Sequence, residues 1–366
     1  MGSGRCNEHA LFRSNGIRQD PGIRSCPSSG CVITPDNSSP ISCFLATFFI
    51  NALGQSIQDT HINSYVAVWG DYTKMGISHA VYGEYLPWVE YSTITDVVSP
   101  HGFGAFSSAL VSTQFSMLDR WMFHFIVSLA LALLNISTLV YTFIFKTEDE
   151  CLAQTGREPV EKNPDGPEIR MKQLLSFKVV PLLAAYLFFH VGLEFTMGSW
   201  ISTYILEELN GSQSVGCVAA GFFAGLTFGS VVLLWVNEKI GERRVVFLYM
   251  ALAIGLELVV WLIPSRFGSA VAVALVGALL GPLFPITMNH ASRVLPRWML
   301  PAAIGWIAGV GQVGPAVLPL MTGVFAEKFG ILSSQPLLVG MMATLAALWA
   351  VVPARSRLDW CLTCFG

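Results

Sequence analysis

Charged residues are scarce in this chain of 366 residues. Asp, Glu, Lys and Arg make up 12% of it, whereas a soluble domain carries about 25%. Hydrophobic residues make up 53%, and the mean hydropathy is +0.57. Charge is absent from five long windows, residues 121–145, 215–237, 267–292, 298–326 and 331–354. Each window exceeds the roughly 20 residues that a helix needs to cross a membrane. The scarcity excludes an ordinary soluble domain and indicates a protein that spans a membrane several times.

Other absences narrow the class of function. The net charge of −3 provides no basic field for nucleic acid. The eight cysteines form no metal or disulfide framework, and the phosphate-binding pattern G-x-x-x-x-G-K-[ST] does not occur. Alternating polarity typical of membrane barrels is missing too, so the spans are predicted to be helices. We expect an all-α membrane protein that is not an enzyme, without cofactor, metal or nucleic-acid partner.

The apolar stretches predict nine helical spans. We place them at 42–66, 103–117, 121–145, 175–205, 215–236, 245–264, 268–291, 301–325 and 331–353. Residues 1–41 are polar and lack an apolar h-region, and are predicted to be a disordered tail rather than a signal peptide. The long polar connection after the third span, residues 147–173, is predicted to be a linker between two bundles.

Basic residues collect in alternate loops of this topology. They occur in the linker, after the fifth span at Lys239, Arg243 and Arg244, and in the tail 355–366, whereas the intervening loops hold one or none. Positively charged loops stay in the cytoplasm, which places the linker and the tail inside. Counting back from the linker through three spans places the basic N-terminus outside. This contradicts the rule that positively charged segments stay in the cytoplasm. Either that tail is exported, or spans that should precede residue 42 are missing.

The segment LLWVNEKIGERR, residues 233–244, resembles a cytoplasmic loop motif of the major facilitator superfamily. Five residues fit the pattern G-x-x-x-[DE]-[RK]-x-G-x-[RK]-[RK], and Leu234 replaces its leading glycine; the five are Glu238, Lys239, Gly241, Arg243 and Arg244. The alternative is an ordinary basic loop. Longer stretches resemble fungal transporters related to the yeast bypass-of-stop-codon proteins: INALGQSIQDTHINSYV at 50–66, KMGISHAVYG at 74–83, FKTEDECLAQTG at 145–156, GPLFPITMNHASRVLPRW at 281–298 and IGWIAGVGQVGPAVLPLMTG at 304–323.

The resemblance implies a major-facilitator fold of two six-helix bundles around a central cavity. Residues 174–354 correspond to a complete second bundle, and residues 42–146 to the last three helices of the first. Residues 84–101 interrupt what the family would run as one helix. We interpret them as a retained intron; the alternative is a true extracellular or re-entrant loop. By this resemblance the first bundle is incomplete, which would explain the conflict over the N-terminus.

Glu194 is the leading candidate for proton coupling. A charged side chain near the bilayer centre costs about 2.5–3.5 kcal/mol on insertion scales, so it usually faces a cavity or a partner. His190 lies four residues earlier on the same helix face and is the predicted partner. The resemblance implies that this span lines the cavity. The alternative is a protonated glutamic acid locked into helix packing.

Further polar and aromatic residues are candidates for the solute cavity. A stripe recurs every four residues in the first span, with one residue beside it: Asn51, Gln55, Gln58, Asp59 and Asn63. The resemblance favours a solute-facing wall, although a soluble amphipathic helix would show the same stripe. Asn289 and His290 either reach the cavity or end their helix in headgroup water. Trp200 either stacks on the solute or anchors the helix at the interface, and Gln312 marks close helix packing with solute contact as the lesser alternative.

These features predict a secondary active transporter of a small organic solute, coupled to protons and working by alternating access. The predicted partners are that solute and the lipid bilayer, and the predicted state is a monomer in the plasma membrane, with the vacuole or another endomembrane as the alternative. Two rival hypotheses are a non-transporting remnant of such a transporter and a membrane enzyme built on His190, Glu194 or His290. The enzyme hypothesis would need a group of metal ligands or a catalytic nucleophile, and the sequence shows no such pattern.

Overall fold

The computed structural model describes residues 123–143, 171–209, 216–263 and 265–353, together with scattered positions between 46 and 115. Every regular element in these ranges is an α-helix or a short 3-10 helix, so the predicted all-α class is confirmed. The residues from Ile50 onward belong to one unit of the chain, and almost all described positions lie in it.

Among the continuously described ranges, two helices come before the main bundle in sequence, α1 (His124–Phe143) and α2 (Met171–Ser176). The main bundle consists of α3 (Val179–Glu208), α4 (Gly216–Val232), α5 (Leu234–Ile240), α6 (Glu242–Leu262), α7 (Arg266–Leu280), α8 (Leu283–Val294), α9 (Leu300–Gly311), α10 (Gly314–Phe329) and α11 (Ser334–Val351). Short 3-10 turns, Arg297–Met299 and Ile331–Ser333, come before α9 and α11.

The main bundle contains five segments that are long and apolar enough to cross a membrane. They are Val179–Glu208, Glu242–Leu262, Arg266–Val294, Leu300–Phe329 and Ile331–Val351. Counted as one span, α4 and α5 together make a sixth; they meet at a bend of 49°. These six lie close to the six spans predicted after the linker. Two details differ: the predicted fifth span is bent rather than straight, and α2 begins inside the predicted linker.

Two of the spans are locally irregular near the middle of their length. Gly281 and Pro282 lie between α7 and α8, and Gln312 and Val313 lie between α9 and α10. All four residues keep right-handed helical backbone angles, so each pair of helices forms one continuous span.

Small residues allow α4 and α7 to pack backbone against backbone. A Cβ atom added at Gly225 would collide with the carbonyl oxygen of Ala274, and one added at Gly229 would collide with that of Ala278. Small residues at such positions are typical of helix pairs in membranes, where close packing replaces the hydrophobic drive for association.

Apolar side chains also cover outer surfaces of the described helices. On α1, Ile126, Leu129 and Leu133 are each more than half exposed. A surface of this kind is unfavourable in water but not against lipid tails. The two ends of the main bundle are named here by their glycine turns: the Gly241 end, where α6 begins and α11 finishes, and the Gly330 end, where α10 finishes.

Candidate functional site

Glu194 lies halfway along the 30 residues of α3, and His190 lies one turn closer to the Gly241 end. The His190 side chain is fully buried, whereas Glu194 retains 6% of its accessible surface. His190 Nε2 and Glu194 Oε1 are 3.4 Å apart. This is an ion-pair distance that exceeds the usual range of N–H···O hydrogen bonds. The structure thus brings the two predicted proton-site residues together inside the bundle.

Aromatic rings continue from His190 towards the Gly241 end. The ring of Tyr186 stacks on that of His190 with centroids 6.2 Å apart, and Trp349 of α11 packs on Tyr186 at 5.2 Å. On its other side Trp349 meets the ring of His290 at 5.4 Å. Tyr186 and Trp349 are almost completely buried. A column of buried rings therefore separates Glu194 from the Gly241 end of the bundle.

The opposite side of α3 packs tightly against the junction of α9 and α10. A Cβ atom at Gly314 would collide with the carbonyl oxygen of Phe188, and one at Gly192 would come within 3.0 Å of the backbone of Gly314. Gly311 lies similarly close to Leu187. The glycines on either side of Gln312 therefore pack closely against α3. Gln312 itself is half-buried between α9 and α10.

Trp200 takes part in helix packing rather than facing open space. Its indole N–H donates to the carbonyl oxygen of Pro319 over 3.1 Å, and its ring lies against Gly323 of α10. One turn along, the hydroxyl of Tyr204 donates to the carbonyl oxygen of Val260. Both side chains join α3 to neighbouring helices.

Asn289 and His290 lie near the Gly241 end and are buried among protein groups. The Asn289 amide donates to one carboxylate oxygen of Glu242, and Arg293 forms an ion pair of 3.4 Å with the other. Nε2 of His290 lies 2.9 Å from the carbonyl oxygen of Pro353. The two residues therefore connect α8 to the start of α6 and to the chain after α11.

The loop motif forms a turn between α5 and α6. Gly241 has φ +88°, a left-handed conformation that glycine adopts without a steric penalty. Arg243 donates to the carbonyl oxygen of Val352 over 2.8 Å, and the indole N–H of Trp349 donates to the backbone oxygen of Arg243 over 3.2 Å. One turn of α6 therefore holds the end of α11.

The other charged motif residues make fewer contacts with the bundle. Glu238, Lys239 and Arg244 are exposed, and the Lys239 ammonium lies 3.8 Å from the centre of the Trp235 ring. The acidic residue that pairs with a neighbouring helix is Glu242, which occupies a variable position of the motif. The acidic position that the motif pattern specifies is Glu238 instead.

The predicted polar wall of the first span cannot be located in the structure. Its residues lie outside the described residues: Asn51, Gln55, Gln58, Asp59 and Asn63. The same holds for residues 84–101 and for most of the linker. Their assignments remain predictions.

Glu257 of α6 is a second buried acid. Its side chain is fully buried, and neither carboxyl oxygen has a hydrogen-bond partner among the described residues. It lies on α6, less than one turn from Val260, whose carbonyl oxygen accepts from Tyr204.

Sequence reasoning missed Tyr186, Trp349 and Glu242. Tyr186 continues the four-residue spacing of His190 and Glu194, a signal that was available in the sequence. Trp349 and Glu242 join the site through contacts between helices that are distant in sequence, which no local pattern reveals.

Comparison with known proteins agrees with this architecture. The profile of the Major Facilitator Superfamily matches residues 182–359, which cover the main bundle. Bypass of stop codon protein 6 of Saccharomyces cerevisiae is 29% identical over 304 residues, which make up 76% of this chain and 57% of that protein. The chain thus spans little more than half the length of this curated relative.

A solved structure with a TM-score above 0.5 is similar in fold. FucP, a major facilitator superfamily transporter crystallised in the outward conformation, aligns with a TM-score of 0.57 at 17% identity, over 86% of this chain and 77% of its own. A variant of the E. coli fucose:proton symporter FucP aligns with a TM-score of 0.47 at 11% identity, over 86% and 98%. The family match and the apolar helices indicate an integral, multi-pass membrane protein. Residues 182–359 thus resemble the major facilitator superfamily, and the chain is similar to a yeast bypass-of-stop-codon protein.

Proposed function

We propose that this chain is a secondary active transporter that moves a small organic solute by alternating access and couples that movement to protons at Glu194 and His190. The observation that carries the proposal is the buried carboxyl–imidazole pair halfway along a membrane-spanning helix. Ionisable groups at such depth mark solute or proton pathways in membrane proteins. Glu194 suits the proton-binding role because, unlike His190, it retains some exposed surface.

The solute site is proposed to lie beside this pair, where α9 and α10 pack closely against α3 and Gln312 is half-buried. On this proposal the opposite wall of the cavity is the polar stripe of the first span, and Gln312 lies at its edge.

The Gly241 end is proposed to face the cytoplasm, because the basic loops collect there. The contacts of Arg243 and Glu242 with α11 and α8 then lie on the cytoplasmic side, where changes in helix-end pairing bias which face of the cavity is open. The plasma membrane is the proposed location and a monomer the proposed state.

The test reconstitutes the 366-residue chain in liposomes that enclose a pH-sensitive dye. An imposed pH gradient is combined with a panel of labelled sugars, amino acids, carboxylates and amines. We expect at least one member to accumulate with the gradient and to move protons. Glu194→Gln should reduce proton-driven accumulation at least tenfold, because an amide does not bind and release a proton at working pH.

Glu257→Gln is the matched control, since it removes a buried carboxyl from another helix. It should retain accumulation. Equal activity of Glu194→Gln and the unmodified chain would contradict the coupling assignment. A folded chain that moves neither protons nor any panel member would instead support the non-transporting alternative.

A further inference from the structure

An aromatic and a basic side chain lie together on the outside of α5. Trp235 is more than half exposed, and the Lys239 ammonium lies 3.8 Å from the centre of its ring. A cation over the face of an indole ring is attracted by the electrons of that face. The two residues are four apart, so they occupy one face of the helix.

This face points away from the bundle, because Asn237 anchors the opposite face of α5. The Asn237 side chain is buried, and its Oδ1 accepts a hydrogen bond of 2.7 Å from the hydroxyl of Tyr249 on α6. With 3.6 residues per turn, the residues two positions before and two positions after a buried residue lie on its far side. Trp235 and Lys239 are those residues, so both face the surroundings of the bundle.

Apolar side chains continue the same exposed face along α4. Phe228 and Val232 are each more than half exposed. Together with Trp235 and Lys239 they recur at intervals of four, three and four residues, the spacing of one helix face. We call these four residues the outer stripe. Its length, at most about 16 Å, is close to that of one leaflet, half of a hydrocarbon core of ~30 Å.

The outer stripe has the order of groups of a phospholipid. Towards the Gly241 end it changes from apolar to aromatic to basic. Lipid tails lie against apolar side chains, and indole rings lie at the level where hydrocarbon gives way to headgroups. A lysine extends its ammonium to the headgroups while its methylene groups stay on apolar surface. The stripe therefore fits one lipid molecule along its length.

The charge at the end of the stripe favours an anionic headgroup. Lys239 forms no ion pair with a carboxylate of the described residues. Glu238 is exposed as well, but it lies about 100° further round the helix. Arg244, exposed on the first turn of α6, adds a second positive charge beyond the Gly241 turn. An anionic lipid would supply the counter-charge that the described part of the protein does not.

We propose that the outer stripe binds an anionic phospholipid, with the Lys239 ammonium on the lipid phosphate and the acyl chains along Val232 and Phe228. In the orientation proposed above, this lipid belongs to the cytoplasmic leaflet, where anionic lipids collect. The inference goes beyond transport, because it concerns a surface on the outside of the bundle.

The test is native mass spectrometry of the full chain in detergent micelles, with phosphatidylserine and phosphatidylcholine of identical acyl chains added in equal amounts. We expect the unmodified chain to retain phosphatidylserine in preference. Lys239→Gln should lower the binding constant for phosphatidylserine about fivefold, the contribution of one basic residue near an anionic surface. Lys239→Arg keeps the charge and should keep the binding. Lys328→Gln is the matched control, because it removes an exposed lysine at the Gly330 end. It should change nothing.

Equal retention of the two lipids by the unmodified chain would overturn the proposal. Unchanged binding in Lys239→Gln, or an equal loss in Lys328→Gln, would do the same. The soluble headgroup glycerophosphoserine separates a lipid site from a site for a free phosphate group. At the concentration of the lipid it should not displace phosphatidylserine, and displacement would show that the acyl chains contribute nothing. The readout is lipid binding, so a chain without transport would count against the proposed function only.

Discussion

The indole N–H of Trp349 donates to the backbone oxygen of Arg243 over 3.2 Å, and the Arg243 guanidinium donates back to the α11 end at Val352 and Ala350, over 2.8 and 3.4 Å. The last carbonyl groups of a helix have no partner within it. Arg243 supplies partners for two of them at the end of α11. This reciprocal contact fixes Trp349 in its place between the rings of Tyr186 and His290.

Arg243→Ala should destabilise the bundle. It removes the charged hydrogen bonds at the end of α11, a loss of about 1.5 kcal/mol for a partly exposed group. Arg244→Ala is the matched control because Arg244 is adjacent and exposed. Thermal unfolding in detergent should show a lower midpoint for the first variant and little change for the second. Equal midpoints for the two variants would show that the contact with α11 contributes nothing.

Gly314→Ala should destabilise the bundle by about 1–3 kcal/mol, because the added methyl group collides with the carbonyl oxygen of Phe188 and forces α3 away from α10. Gly309→Ala adds the same methyl group where nothing lies within 4 Å. It should stabilise the helix by about 0.5–1 kcal/mol, since alanine loses less backbone entropy. Thermal unfolding of the pair measures the difference, and a stabilising Gly314→Ala would rule out the close approach.

Glu242 and Asn289 should show energetic coupling. Asn289→Asp places a second carboxylate against Glu242, which should destabilise the bundle by roughly 1–3 kcal/mol. Adding Glu242→Gln restores a donor and an acceptor with the roles exchanged, and should recover part of that loss. A double-mutant cycle of unfolding free energies isolates the interaction. Strictly additive effects would mean that the two side chains do not interact in solution.

Glu257→Met should raise the stability of the bundle. Replacing a buried polar group that lacks partners by an apolar side chain of similar size removes a desolvation cost of about 1–3 kcal/mol. Thermal unfolding should show a higher midpoint than in the unmodified chain. A large drop would reveal a partner for Glu257 outside the described residues.

Much of the second half could be predicted from the sequence. The apolar windows located six spans because membrane crossing depends on length and polarity, which are local properties. The spacing of His190 and Glu194 predicted their proximity, since a helix places residues four apart on one face. The importance of Gly241 followed from its motif. The bend between α4 and α5 was not predicted, because an uninterrupted apolar run contains no signal for it.

Other parts of the site depend on contacts between distant segments. Glu257 lies buried, and the sequence alone does not reveal this because burial depends on which helices surround α6. The sequence left two alternatives open for Asn289 and His290, because their partners Glu242 and Pro353 lie far away in sequence. The polar stripe from Asn51 to Asn63 remains a prediction, because those residues lie outside the described part of the chain.

The sequence by itself determined that this is a helical membrane protein and that a carboxyl and an imidazole share one face of one span. The reason is that spans and helix faces follow from the order of residues along one helix. Only the tertiary structure decided what surrounds that pair: the stacked rings of Tyr186 and Trp349, the glycine contact with α10, and the ties from α6 to α8 and α11. These depend on how helices separated by up to about 170 residues pack together, because side-chain contacts between helices follow from ridge-and-groove packing rather than from local sequence.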